Sequence, residues 1–335
     1  MHDTEHHYPA LLLLLLLGLL AALPASAQWH DRREAIMGTN ISVQIWSADE
    51  QLAGEAMDAV IGEMYRINAL MSTWQDDTQL SAVNAGAATH PVSVSPELFG
   101  LVERALGFSE VTHGAFDITY ASVGYLYDYR AGVQPDESAR RRALAAVDYR
   151  FVELNDATHS IRFARDGVRI DLGGIAKGHA VERGAAILRG YGIEHGIVTA
   201  GGDSRIIGDR RGRPWTVGIR NPRDEANIVT RLPLIDEAIS TSGDYERFFE
   251  ADGIRHHHII RPGTGESPRE VMSVTVIGPD ATTTDALSTG VFVLGVADGI
   301  ELINSLGAYE AVIIDAGGRM HYSGGLISPG AAASR

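Results

Sequence analysis
Cysteine is absent from this chain of 335 residues, and lysine is almost absent, with Lys177 alone beside 27 arginines. The first absence excludes disulfides, thiolate nucleophiles and thiolate ligands, and leaves no cysteine to carry a diacylglycerol anchor. A positive balance is missing as well: 28 Lys and Arg stand against 43 Asp and Glu, a net charge of −15. That argues against a nucleic-acid backbone as partner, and leaves small anions open because they bind at local sites. No apolar run is long enough to span a bilayer comfortably. Leu11–Leu23 has 13 residues, short of the roughly 20 required, and Pro24-Ala25-Ser26-Ala27 after it has the small-x-small form of a cleavage site. Residues 1–27 are therefore predicted to be a secretory signal peptide, although its start carries three histidines, Asp3 and Glu5 and neither Lys nor Arg. Retention as an anchor is the alternative. The P-loop pattern, the GxGxxG fingerprint and the serine elbow are all missing, so the folds that depend on them lack their signatures.

What is present gathers in Asp171–Asp203, DLGGIAKGHAVERGAAILRGYGIEHGIVTAGGD. An apolar alternation, Val168-Arg169-Ile170, reads as a strand running into Asp171. Gly173-Gly174 makes a tight junction, and a helical pattern follows from about Ile175 to Arg189. Ile197–Thr199 reads as a short strand ending in Gly201-Gly202-Asp203. Two strand ends thus present aspartate and bare backbone, with a helix start between them that offers unpaired N–H groups to an anion. Lys177 lies in the first turn of that helix, a compact point charge suited to phosphate oxygens; a plain surface lysine is the bland reading.

Elsewhere, Ile41, Val43 and Ile45 alternate as a strand opened by Met37-Gly38-Thr39, and Glu50–Ala69 is an amphipathic helix. Trp74 stands at the edge of a polar loop, free to stack on a planar ligand or to cap the core. Asn84 reads as a cap or turn residue. Ser95-Pro96 starts a helix over Leu98–Glu110, and the turn His113–Thr119 offers ligand-facing backbone, with Phe116 as a core plug in the bland reading. Asp209–Arg213 reads as a solvated basic turn. Asp252-Gly253 is a hairpin signal. Of the adjacent His256, His257 and His258, at most two share a strand face, so they cannot all hold one metal; one serves a hydrogen bond or a proton transfer. Asp285 and Thr289, four apart, share a helix face. That oxygen pair is an incomplete Mg²⁺ shell that phosphates, waters and a carbonyl could finish; the alternative has Asp285 capping the helix and Thr289 bonding its own i−4 carbonyl.

Eight short motifs then fall in one order: MGT at 37–39, MSTW at 71–74, GAFD at 114–117, DLGGIAKG at 171–178, AGGD at 200–203, STSGDYERFF at 240–249, HHIIRPGTG at 257–265 and DALST at 285–289. In these the chain resembles the ApbE family of FAD:protein FMN transferases, over essentially all of residues 28–330, with 331–335 a frayed tail. The resemblance implies an α+β fold with two lobes, mixed or antiparallel sheets and flanking helices, and FAD in a cleft between the lobes. It implies periplasmic transfer of FMN from FAD to a threonine of a target protein, with Mg²⁺ and release of AMP. The target would be a membrane-associated subunit of a quinone reductase or related electron-transport complex, which allows peripheral membrane association. By the family pattern Met37, Trp74, Ala115, Phe116, Asp117, Asp171, Lys177 and Ile260 contact FAD. Asp285, Thr289 and the Gly174 carbonyl hold the metal, through which Asp285 serves catalysis. The mechanism then follows from charge: Lys177 would hold the phosphoryl oxygens that gain charge, and His257 or His258, with a pKa suited to neutral pH, is the candidate base. The family usually has an acid where Arg261 stands, at the edge of the flavin cleft. A flavin carrier, or a pyrophosphatase giving FMN and AMP, are the other readings.

Overall fold
The computed structural model describes residues 27–326; the predicted leader before Ala27 and the predicted frayed tail lie outside the described residues. Strands β1 (Gln28–Ile36) and β2 (Thr39–Ser47) form a hairpin. Its turn is Met37-Gly38, with φ of 57° and 69°, the left-handed pair whose twist suits a two-residue hairpin. The sequence reading, which took Met37-Gly38-Thr39 only as the entry to β2, missed the hairpin and β1. Its charged stretch, Asp31-Arg32-Arg33-Glu34, suits an edge strand and hides the apolar alternation.

Helix α1 (Glu50–Met71) follows, capped by Asp49, then α2 (Gln79–Gly86), β3 (Val92–Ser93) and α3 (Pro96–Val111), with Ser95 as its cap. Short α4 (Ala121–Gly124) and α5 (Glu137–Leu144) precede the hairpin β4 (Val152–Asn155) and β5 (Ser160–Phe163). Next come α6 (Ala176–Gly190), β6 (Gly196–Ala200), β7 (Asp203–Ile207), the long hairpin β8 (Trp215–Asn221) and β9 (Asp224–Leu234), and β10 (Ala238–Gly243). The ribbon β11 (Phe248–Ala251) and β12 (Ile254–His257) turns at Asp252-Gly253, as expected, with both at positive φ. The chain closes with β13 (Val271–Gly278), α7 (Ala281–Leu294), α8 (Val296–Leu306), β14 (Glu310–Asp315) and β15 (Met320–Tyr322).

Eight strands make the main sheet, in the order β1-β2-β6-β7-β10-β13-β14-β15. Every neighbouring pair in it is antiparallel, so the α+β class holds and the mixed-sheet option does not. One face is covered by helices in the order of the strands beneath: α1 on β1 and β2, α6 on β6 and β7, α7 on β10 and β13, α8 on β14. Strand alternation sorts the core between the two faces. Ala311 and Ile313 pack with Val291, Phe292 and Ile303 on the helix side, while Val312 and Ile314 pack with Ile219 on the other. That second face is closed by the β8–β9 hairpin, whose Trp215 and Leu234 meet Ile206, Ile239 and Ile277. Each such side chain, fully buried, contributes about 1.5–3 kcal/mol. In the basic turn, Arg210 is held 4.8 Å from the ring centroids of both Trp29 and Trp215, so it braces this face.

Val168–Ile170 is not a strand. The Asn84 side chain takes the place of a strand partner, its amide donating to the Ile170 carbonyl at 2.9 Å and its oxygen accepting from the Ile170 N–H at 2.8 Å. Ser122 Oγ accepts from the next N–H back, that of Arg169.

Candidate active site
The segment anchored by Asn84 delivers Asp171 to the start of α6. Its carboxylate accepts from the Gly173 N–H at 2.7 Å, the Tyr120 hydroxyl at 3.2 Å and the Thr73 hydroxyl at 2.9 Å. Asp171 thereby organises the Gly173-Gly174 turn and ties it to the loop that carries Trp74. Helix α6 has no side-chain cap of its own. One of its first N–H groups, that of Gly178, donates instead to Oδ2 of Asp285 on α7, at 2.8 Å. The helix start expected to receive an external anion thus already holds a protein carboxylate, a favourable placement for negative charge.

Two glycine-lined approaches make this possible. A Cβ on Gly178 would run into the Ala281 carbonyl oxygen and lie 2.6 Å from Asp285 Cβ, so α6 and α7 cross without a side chain between them. The β6–β7 turn is similarly pinched: a Cβ on Gly201 would lie 2.6 Å from Thr39 Oγ1, and one on Gly202 2.6 Å from the Thr241 carbonyl oxygen. Directly after that turn Asp203 points into the protein.

Lys177 reaches Asp203, in a short ion pair, and lies 3.9 Å from Asp285. Both carboxylates are buried, at 1% and 2% exposure, and Asp203 Oδ1 has no hydrogen-bond partner among the described residues. Burial works against the ammonium, yet the Asp203 and Asp285 charges raise Lys177 above its ordinary range. Burial, then the Asp203 charge, push the Asp285 carboxyl up, opposed by Lys177 and the α6 N–H groups. Two buried carboxylates against one ammonium leave the cluster short of positive charge.

One turn along α7, Thr289 Oγ1 lies 3.2 Å from Ser242 Oγ, which also lies 2.8 Å from Ser288 Oγ. A Cβ on Gly174 would sit 3.3 Å from Thr289 Oγ1 and 3.1 Å from the Phe116 ring. Gly174, Asp285 and Thr289 therefore converge where α6 begins. The capping alternative fails, since Asp280 caps α7 and the Thr289 hydroxyl turns to Ser242. No group of three or more His, Cys, Asp or Glu suited to a metal occurs among the described residues, so a cation here would rest on a mixed oxygen set.

The remaining predicted contacts differ in what they can offer. Trp74 is 88% exposed, its ring open to a planar ligand. Met37 sits in the β1–β2 turn. Phe116 is buried and meets Phe108 edge-on at 6.2 Å, the core plug of the bland reading. Asp117 is occupied by Thr119 and by the Tyr149 N–H, which leaves mainly the backbone of this turn, including Ala115, to a ligand. Ile260 packs with Val123 and Tyr127, and the unusual Arg261 turns to Glu270 at 3.0 Å. His257 Nε2 lies 2.9 Å from the Pro268 carbonyl oxygen, so Nε2 carries the proton. His257 Nδ1 and His258 Nδ1 are buried without partners. Desolvation, then the Arg247 charge, hold His258 down to about 3, and burial lowers His257 as well, so the expected value near neutral pH is not found and His258 is a neutral imidazole at physiological pH.

Residues 37–313 match the model of the ApbE family. The chain belongs to the ApbE family. Among similar proteins, an FAD:protein FMN transferase from Treponema pallidum is 33% identical over 325 residues, covering 90% of this chain and 89% of that one. Another of that description from Vibrio cholerae is 33% identical and covers 83% and 85%. The crystal structure of the ApbE protein from Thermotoga maritima superposes with a TM-score of 0.82 at 34% identity, over 88% of this chain and 97% of that one. The flavin transferase ApbE from Vibrio cholerae does so at 0.79 and 27%. The ApbE fold is thus shared along nearly the whole chain, and the chain is an enzyme. Sequence reasoning placed Asp203 at a strand end beside the helix start without seeing it as the partner of Lys177, and it left out Ser242 and Arg247, whose charge acts on His258. All three stand inside the quoted motifs, AGGD and STSGDYERFF, and that was the available signal.

Proposed function
We propose that this enzyme transfers the FMN part of FAD to the hydroxyl of a threonine on another protein, releasing AMP, with Mg²⁺ held by Asp285, Thr289 and the Gly174 carbonyl. Similarity to FAD:protein FMN transferases along the chain supports the general activity. The finer chemistry is supported by one observation: Gly174 and Lys177 on one segment and Asp285 and Thr289 on another, more than 100 positions away, meet at the start of α6. The oxygens of Asp285, Thr289 and Gly174 suit Mg²⁺, with one carboxylate among them, and the cluster's shortage of positive charge fits a cation. When bound, Mg²⁺ would withdraw charge from the diphosphate and favour AMP as leaving group.

Lys177, fixed by Asp203, would hold a phosphoryl oxygen as charge develops on it. The threonine oxygen attacks the FMN phosphorus, the P–O bond to AMP breaks, and a phosphoester forms. The threonine proton needs an acceptor. His258 supplies an unpartnered Nδ1 in its neutral form, and His257 is the second candidate through its own Nδ1. Trp74, exposed beside the loop tied to Asp171, would cover the flavin ring. The proposed setting is the periplasm, and the proposed partner a membrane-associated electron-transport subunit with an acceptor threonine.

The test mixes the protein with FAD, Mg²⁺ and a recombinant target domain, and follows the target by mass spectrometry. Attachment of one FMN to the acceptor threonine, lost in Asp285→Ala and without metal, is expected. FMN and AMP with unmodified target would mean a pyrophosphatase, and bound but intact FAD a carrier.

A further inference from the structure
The cluster around Lys177 poses a charge problem for the substrate proposed above. Even with Mg²⁺ bound, Lys177 and the ion leave Asp203, Asp285 and the two negative charges of the FAD diphosphate one positive charge short. A further cation is wanted at the rim, one that no protein carboxylate has claimed.

Arg247 meets that description. It is exposed in the loop between β10 and β11, and its guanidinium has no hydrogen-bond or ion-pair partner among the described residues. The acidic residues around it in the chain are engaged elsewhere. Asp244 takes a bidentate pair from Arg223, at 2.7 and 2.6 Å, and a contact from Arg255 at 3.5 Å. Glu246 faces Arg220 at 3.5 Å.

Its position is set from two sides. The Arg247 carbonyl accepts from the His258 N–H at 3.0 Å, which ties the loop to the candidate base. The guanidinium Nη2 lies 3.5 Å from where a Cβ on Gly38 would be, over the β1–β2 turn. Thr39 of that turn abuts Gly201, two residues before Asp203. Turns β1–β2 and β6–β7 and the end of β10 share one end of the main sheet, so Arg247 stands on the rim that holds Asp203 and Lys177. The Arg247 charge acts on both His258 and Tyr120, the residue hydrogen-bonded to Asp171.

We propose that Arg247 binds the diphosphate of the flavin nucleotide from the exposed rim of the cluster, as the further cation that Lys177 and the metal together do not supply. The geometry suits arginine, whose planar fork meets two phosphate oxygens at once. This rests on FAD being the substrate.

The test is titration of FAD into wild type, Arg247→Gln and Arg247→Lys by flavin fluorescence, at two salt concentrations, with the melting temperature of each protein. The Gln variant should bind FAD roughly 10- to 100-fold more weakly, with a flatter salt dependence and an unchanged Tm. The Lys variant should recover part of the loss. Unchanged FAD affinity in Arg247→Gln overturns the proposal, and so does a loss accompanied by a fall in Tm, which would mark a structural role. Wild type that fails to bind FAD would remove the substrate reading and this inference together. Wild type that binds while the Gln variant binds equally well removes only the inference.

Discussion
The Gly178 N–H donates to the Asp285 carboxylate across 107 positions of sequence, joining the first turn of α6 to the second turn of α7. The contact requires that residue 178 carry no side chain. Gly178→Ala should therefore cost about 3 kcal/mol of stability, at the upper end of ordinary overpacking, because the obstacles are the Ala281 backbone and Asp285 Cβ. Urea denaturation checks this. A variant as stable as wild type would mean that α6 and α7 separate easily, and the close crossing would lose its importance.

Replacing Lys177 by Met leaves two buried carboxylates facing each other without their ammonium. Breaking a buried pair from one side costs about 3–5 kcal/mol. Lys177 is 27% exposed, so solvent screening reduces this to roughly 2–3 kcal/mol. Transfer activity should vanish as well. The stability loss should shrink as pH falls through the raised Asp285 value of about 7, where that carboxylate takes up a proton; an equal loss at pH 5 and pH 8 would contradict the charge account.

Asp285 supplies the pH dependence. Its carboxyl is raised in the folded state, by burial and by Asp203. Its contribution to stability is thus fully present below the unfolded carboxylate pKa of about 4 and is lost as pH rises through the raised folded value. In chelator-treated protein the Tm difference between Asp285→Asn and wild type should move in favour of the Asn variant from pH 5 to pH 8. His257 and His258 are lowered in the folded state, so they add stability as pH rises through the ordinary histidine range. That trend is common to both proteins and leaves the difference intact. A difference independent of pH would show that Asp285 is ionised throughout.

Trp74 separates binding from folding. With 88% of its surface exposed, its loss should change stability by less than about 0.5 kcal/mol. Trp74→Ala should nonetheless weaken FAD binding about 10-fold by removing a stacking surface, read by flavin fluorescence. Unaltered affinity would take Trp74 out of the flavin site.

The helix carrying Lys177, the Asp252-Gly253 hairpin and the shared helix face of Asp285 and Thr289 could all be read along the chain. Each depends on residues within a few positions of one another: apolar spacing, turn residues that accept positive φ, and the four-residue repeat of the helix. The family motifs went further and named the residues that meet at the start of α6. Pairings between distant segments were not legible in the same way. Asn84 stands in for a strand partner of Ile170, 86 positions away, and strand periodicity at Val168–Ile170 cannot reveal that its partner is a side chain. Charged β1 gains its place from pairing with β2, which its own pattern does not advertise. The helix start that seemed open to an external anion receives Asp285, and Lys177 receives Asp203, because the sheet order and two bare glycine contacts bring them together. Local patterns encode which backbone conformations are cheap; which charges neutralise one another depends on through-space distance, and that is set when the helix layer closes over the sheet.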